Sequence, residues 1–341
     1  MRKLLNTLYV TTPGSYLSLD GLALVIRREE QETARLPSHN FSGIVCFGRV
    51  SCSPYLMHFC AEQGILISFL DGFGRFLARV EGPVSGNVLL RREQYRIADS
   101  PERSARTVMM LVAGKIANQR AVLRRFRRDY APVSEAMTRA ESGLDRILEN
   151  LRDETTVDAL RGQEGKAADL YFSVFDELIR DRESPFRFEG RNRRPPLDMV
   201  NALLSYSYTL LLHETIAGLE TVGLDPAVGF LHRDRPGRQS LALDLLEEFR
   251  PYAGDRFILS LINNKRLTPS DFETRANGAV YLNEEGRKKF LTAWQQRKQE
   301  TLEHPFLKEK MPVGLLFFVQ ARLLAKYVRG EMDYYIPFVW K

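Results

Sequence analysis

VGFLHRDRPGRQSLALDLLEEFRP, residues Val228 to Pro251, decides how this chain is read. A short apolar run (Val228, Phe230, Leu231) ends on His232. A basic loop with proline and glycine follows, Arg233 to Arg238, and then an apolar segment that carries Asp244, Glu247 and Glu248. Leu241, Leu245 and Phe249 recur at helical spacing, and Ser240 is placed to cap that helix. Asp244 and Glu247 then share a face, with Cβ atoms about 5–6 Å apart. Two carboxylates on one face, with an imidazole a short loop away, can hold a divalent cation. The competing reading is a structural histidine beside a solvated acidic face. Against it stand Leu241, Leu243, Leu245 and Leu246, which bring at least one acid close to apolar surface. An unpaired carboxylate there costs several kcal/mol, so it needs a partner.

Outward from this stretch the pattern stays helical. Downstream, Phe257 to Ile262 reads as helix, Asn263 to Arg266 as a polar basic turn, and Gly278 to Leu282 as a small hairpin. Glu284 to Leu302 and Val313 to Val328 read as closing helices. Upstream, Asp198 caps a long apolar helix from Met199 to about Gly218. His213-Glu214 begins an HExxH pattern, but Ala217 stands where the second histidine belongs, which excludes a zincin. Phe186 to Pro196 is a loop containing Arg191, Arg193 and Arg194. In Leu160 to Phe172, Glu164 sits between Gly162 and Gly165, where small residues would let a neighbouring helix approach closely. A surface acid is the alternative for Glu164 from that segment alone. Ser100-Pro101-Glu102 starts another helix. It runs into Arg120, Arg124, Arg125, Arg127 and Arg128, five arginines in nine residues that suit phosphate binding. An exposed basic face without a partner is the other reading.

Before Gly82 the pattern is β. Leu4 to Val10, Tyr16 to Leu19, Leu22 to Ile26, Phe41 to Val45, Ile65 to Leu70 and Phe76 to Val80 read as strands, with Asp20-Gly21 as a hairpin turn. Ser53 to Gly64 reads as one short helix. The expected class is α+β. A small β-sheet domain (1–86) leads through a break at Gly82 to Asn87 and a linker (87–99) into a larger all-α domain (100–341).

Composition narrows the function. The 341 residues carry 49 Lys and Arg against 43 Asp and Glu, a net charge of +6, which points to an anionic partner with nucleic acid first. No apolar run is long enough to cross a bilayer, and the N-terminus is too polar for a signal peptide. Cys46, Cys52 and Cys60 have no metal-type spacing and read as reduced in a cytoplasmic protein. GxxxxGKS and GxSxG motifs are absent, so neither a phosphate loop nor a serine nucleophile is expected.

LRGQEGKAADLYF, FRFEGRNRRPPLDMVNALLSYSYTLLL, GFLHRDRPGRQSLALDLLEEFRP and NNKRLTPSDF with GAVYL follow one another behind an N-terminal β domain. In that order they resemble the CRISPR-associated endonuclease/integrase family, the catalytic subunit of the spacer-acquisition complex, over essentially the whole chain. The resemblance implies a Mg²⁺ or Mn²⁺ site. The glutamate of its first motif falls on Glu164, the histidine on His232 and the acid before FRP on Glu247, with Asp244 a further acidic site residue. Some members carry Asp at the Glu247 position, which leaves open whether Asp244 or Glu247 ligates directly. The resemblance further implies double-stranded DNA as substrate, both spacer precursor and repeat array, and a homodimer formed through the β domains. Two such dimers would flank a dimer of a small ferredoxin-like subunit as a heterohexamer. A stand-alone nuclease on branched DNA, or a DNA scaffold without catalysis, are the alternatives.

Overall fold

The computed structural model describes residues 6–72, 76–80, 82, 88–181 and 183–340. They divide into two compact units. The residues up to 82, joined by Leu282–Thr301 and Pro312–Leu315, form the first. The rest of the described chain forms the second.

The first unit is built from two four-stranded sheets. Strands β1 (Asn6–Val10), β2 (Ser15–Asp20), β3 (Ala23–Arg28), β4 (Gln31–Pro37), β5 (Phe41–Phe47) and β6 (Ser51–Cys52) precede helix α1 (Pro54–Gln63) and strands β7 (Leu66–Leu70) and β8 (Phe76–Val80). One sheet has the order β4-β3-β2-β6, the other β1-β5-β7-β8. In the second, β1, β5 and β7 run parallel and β8 turns back antiparallel. Their inward side chains, among them Leu17, Leu24, Ile44, Cys46, Leu56, Cys60 and Ile67, make one apolar core. Local chemistry fixes the corners. The Ser53 hydroxyl accepts from the Leu56 N–H at 3.2 Å to start α1, and Gly64 ends it at φ +66°. Burial pushes the thiols of Cys46 and Cys60 up to about 12 and that of Cys52 to about 11, so all three are inert structural groups. Strand β4 (QETARLP) has no apolar alternation and escapes a sequence reading. It is a charged sheet edge, which discourages edge-to-edge pairing.

The second unit is helical. It comprises α2 (Val88–Asp99), α3 (Pro101–Asp129), α4 (Glu135–Asn150), α5 (Val157–Ser173), α6 (Met199–Val222), α7 (Ser240–Leu246), a π-helical turn (Arg250–Asp255), α8 (Arg256–Asn263) and, later in the chain, α10 (Leu316–Val328). The intervening α9 (Glu284–Gln299) belongs to the first unit, where Gln295 and Lys298 donate to Thr7 of β1 at 2.5 and 2.9 Å. Two short ladders lie among these helices: β9 with β10 (Phe272–Thr274, Val280–Leu282), which takes in the hairpin expected at Gly278 to Leu282, and β11 with β12 (Thr301–Glu303, Lys310–Pro312), which was not expected.

One expectation about chain organisation changes. The segment expected as a linker over 87–99 is helix α2 from Val88 onward. Gln94, fully buried, donates to the carbonyls of Asp225 and Val228 at 2.8 Å and accepts from the Asp225 N–H at 2.9 Å. That helix therefore anchors the loop leading to His232. The break expected at Gly82 to Asn87 lies, at 83–87, outside the described residues.

Candidate metal and phosphate site

Asp244 organises the loop that carries His232. It has no solvent exposure. Its Oδ2 accepts the N–H groups of Phe230 at 2.6 Å and Leu231 at 2.9 Å. Its Oδ1 accepts the N–H of His232 at 2.9 Å and lies 2.6 Å from the His232 Nδ1. The loop is thus wrapped onto one carboxylate, and the ring proton belongs on Nδ1, leaving the Nε2 lone pair available. Gly229 makes the wrap possible. A Cβ there would meet Asp244 Oδ2 and the Ser240 carbonyl carbon, each at 2.7 Å. Ser240, expected as the cap, is instead the first residue of α7, buried, and follows Gln239, whose side chain makes no cap.

Glu247 closes α7 and is 3% exposed. Arg250 reaches its Oε1 at 3.2 Å. Its Oε2 is 2.6 Å from the Lys115 ammonium, yet is a buried acceptor without a well-aligned hydrogen bond. Lys115 rises from the middle of α3, 5% exposed, and its ammonium also contacts Glu164 Oε1. Burial opposes the charge on Lys115, but Glu247 and Glu164 outweigh it and hold the pKa above its usual value. Burial likewise opposes ionisation of Glu247, and Arg250 and Lys115, the largest opposing charges, overcome it, pulling the carboxyl down to about 2.

Glu164 lies in the body of α5, and a Cβ at Gly162 or Gly165 would have nothing within 4 Å. The close helix approach expected at these glycines does not occur; they leave the helix surface beside Glu164 open. Among the described residues no three His, Cys, Asp or Glu side chains are gathered at metal-holding distance. Glu164 and Glu247 are instead gathered by a cation of the protein itself, Lys115.

A family model described as CRISPR associated protein Cas1 matches residues 8–296. The chain belongs to the Cas1 family. It is 53% identical to CRISPR-associated endonuclease Cas1 1 of Chlorobaculum tepidum, with 100% of each chain covered. It is 52% identical to CRISPR-associated endonuclease Cas1 2 of Rhodospirillum rubrum, again over 100% of each. Among solved structures, a Cas1 protein from Thermotoga maritima shares the fold at TM-score 0.83 and 24% identity, covering 98% of this chain and 100% of that one. A casposase bound to integration product does so at TM-score 0.85 and 23% identity, covering 99% and 95%.

In this Cas1 chain the arginines expected to bind DNA differ in their surroundings. Arg120 pairs with Asp145 at 2.5 Å, Arg124 with Glu141 and Asp145 at 2.9 and 2.7 Å, and Arg127 with Glu141 at 3.3 Å. Arg125 and Arg128 pair with Asp129 at 3.4 and 2.9 Å. Glu141 and Asp145 come from α4, whereas Asp129 lies beside Arg125 and Arg128 in sequence, so these five arginines are paired in part with three acids. Arg191 is half-buried, donating to Asn201 Oδ1 at 2.6 Å with its guanidinium 5.5 Å from the Tyr208 ring centre. Arg193 and Arg194 are exposed. Further arginines follow His232 in its loop. Burial lowers the Arg238 pKa, and the charges of Arg235, Arg194 and Arg161 lower it further against the opposing charge of Asp244. Arg161 also donates to the Leu231 carbonyl at 2.6 Å, which ties α5 to the histidine loop.

Glu248 faces away from the site. It has no exposure and accepts from Gln320 at 3.0 Å, Tyr335 at 2.9 Å and the Phe338 N–H at 3.2 Å. Burial raises its pKa to about 8, despite those hydrogen bonds. Sequence reasoning missed Lys115 and Arg250. Lys115 did leave a trace, as the one charged residue in the run LVAGKIAN.

Proposed function

We propose that this chain is a metal-dependent DNA integrase and endonuclease that inserts spacer DNA into a CRISPR array. The observation that carries the reading is the gathering of Glu164 and Glu247 around a buried cation, in the same helical unit as a histidine whose Nδ1 is held by a buried aspartate. Full-length identity to two CRISPR-associated endonucleases supports it.

Glu164, Glu247 and the Nε2 of His232 are the residues that would hold Mg²⁺ or Mn²⁺. The donor set fits: two carboxylates and one imidazole suit Mn²⁺ and tolerate Mg²⁺. Glu247 Oε2 is a buried acceptor whose near neighbour is the Lys115 ammonium at 2.6 Å, without a well-aligned hydrogen bond. Bound there, the ion would neutralise charge developing at the scissile phosphate. Asp244 has no part in ligation, since its oxygens are engaged by the histidine loop; it is a positioning residue.

The reaction is a transesterification. The 3′-hydroxyl oxygen of the incoming strand bonds to phosphorus as the bond to the departing 3′-oxygen breaks, and that oxygen leaves as a hydroxyl after taking a proton. One phosphodiester replaces another, so no nucleotide hydrolysis is needed. Arg161, Arg194, Arg235 and Arg238 supply positive charge for the backbone phosphates. Water in place of the 3′-hydroxyl gives a nick, the endonuclease reaction.

The assembly we infer is a homodimer joined through the β units, two of which flank a dimer of a small ferredoxin-like subunit. Leu22, Tyr55, Phe76 and Leu77 of that unit are exposed apolar side chains, which is the raw material of an interface. Solved neighbours of the same fold include a Cas6-RT-Cas1–Cas2 complex, at TM-score 0.82 and 22% identity. The array is cytoplasmic, and no helix among the described residues is long and apolar enough to cross a membrane. The test is strand transfer of a 3′-hydroxyl duplex into a supercoiled repeat plasmid, with Mn²⁺ or EDTA, with and without the small subunit. Metal-dependent joining supports the integrase; cutting without joining favours a stand-alone nuclease acting on branched DNA.

A further inference from the structure

We propose that Lys115 is a placeholder cation: its ammonium occupies the position between Glu164 and Glu247 that the metal ion takes, and metal binding displaces it. This rests on the reading of Glu164, His232 and Glu247 as the ligand set.

Val112, Ile116 and Ala117 around Lys115 are buried apolar residues, and Lys115 itself is 5% exposed, so its side chain does not run out to water. A buried ammonium persists only where carboxylates surround it. Here the two carboxylates are Glu164 on α5 and Glu247 at the end of α7, elements far apart in the sequence. Without a cation between them these acids would repel each other in a poorly solvated space. Arg250 cannot substitute, because it holds the opposite oxygen of Glu247, Oε1. The oxygens facing Lys115, Glu164 Oε1 and Glu247 Oε2, are the two that a metal would need.

The charge balance gives the consequence. Glu164 and Glu247 are neutralised by Lys115 and Arg250. A divalent ion entering beside both cations would leave two uncompensated positive charges. The ion therefore enters as the ammonium withdraws, and a DNA phosphate balances the one positive charge that remains on Arg250. Lys115 holds the ligands in place in the metal-free protein and, for the same reason, weakens metal binding in the absence of DNA.

The test is Mn²⁺ titration of the DNA-free, full-length protein, followed by the electron paramagnetic resonance signal of free Mn²⁺, together with thermal melting in EDTA. Lys115→Met is expected to bind Mn²⁺ about tenfold more tightly than the wild type or better, because a unit charge at contact distance has been removed. Its melting point is expected to fall in EDTA and to recover with Mn²⁺. Glu164→Gln is expected to weaken Mn²⁺ binding in the wild-type background. Equal or weaker binding by Lys115→Met, while Glu164→Gln still weakens it, overturns the placeholder role and leaves the ligand set standing. Mn²⁺ binding indifferent to Glu164→Gln removes the ligand set and the placeholder together. Should Lys115→Met not fold, crystal structures of the wild type with and without Mn²⁺ decide. The Nζ is expected to leave both carboxylates when the ion is present, and an Nζ still bonded to both beside a bound ion overturns the proposal.

Discussion

Asp244 grips His232 twice, accepting the backbone N–H at 2.9 Å and lying 2.6 Å from the ring Nδ1 through the same oxygen. Both the loop path and the ring tautomer therefore depend on one buried carboxylate. Asp244→Asn places an NH₂ group where an oxygen must accept N–H groups. We expect Mn²⁺ affinity and strand-transfer rate each to fall by about 10–100-fold, the usual cost of removing the partner that orients a ligating histidine. Mn²⁺ titration and initial joining rates measure this, and wild-type values would show that the grip is dispensable.

The loop also depends on the absence of a side chain at 229. A Cβ there sits 2.7 Å from Asp244 Oδ2, well inside contact distance. Gly229→Ala should lower stability by about 1–3 kcal/mol, as overpacking does, and reduce joining by displacing His232. Urea unfolding beside the joining assay separates the two losses. An unchanged midpoint with full activity would refute the close approach.

Glu248 predicts a pH dependence of stability. Its carboxyl is raised from an ordinary 4.5 to about 8 in the folded chain. Between those values the folded state binds a proton that the unfolded state has released. Stability from this group is therefore highest at and below pH 4.5, falls as pH rises through the window, and stays low above 8. Glu248→Gln keeps a neutral, hydrogen-bonding group there. Its melting point relative to wild type should rise by a few degrees between pH 6 and pH 8.5. A constant difference across that range would contradict the shift.

The two arginine groups should behave differently on DNA. Arg235→Ala and Arg238→Ala remove charge from the loop that follows His232. Each should weaken DNA binding across sequences and reduce the salt slope by up to about 1. Arg124→Ala breaks pairs with Glu141 and Asp145, so it should loosen the α3–α4 packing while changing the salt slope less. Binding isotherms at several salt concentrations measure the slopes, and equal slopes for all three variants would contradict the division.

Much of this was readable from the sequence because the information was local. Ser53, Gly64, Ser100-Pro101 and Asp198 mark helix ends through hydrogen bonds to their own neighbours, and the structure uses them so. Strand β4 was missed because an edge strand needs no apolar alternation. Helix α2 was read as a linker because its burial rests on Gln94 reaching residues more than 130 positions away. At the site, the acids and the histidine were visible by type and spacing. Which carboxylate faces inward was not, since that is set by backbone N–H groups in the Phe230 to His232 loop. The pairing of Arg120, Arg124 and Arg127 was equally hidden, since Glu141 and Asp145 reach them from another helix.

The most direct test of the account is strand transfer by Glu164→Ala and His232→Ala, assayed in Mn²⁺ beside wild type with the small subunit present. We predict metal-dependent joining by the wild type and none by either variant, with melting curves showing both variants folded. Joining at the wild-type rate by both folded variants would contradict the assignment of the site.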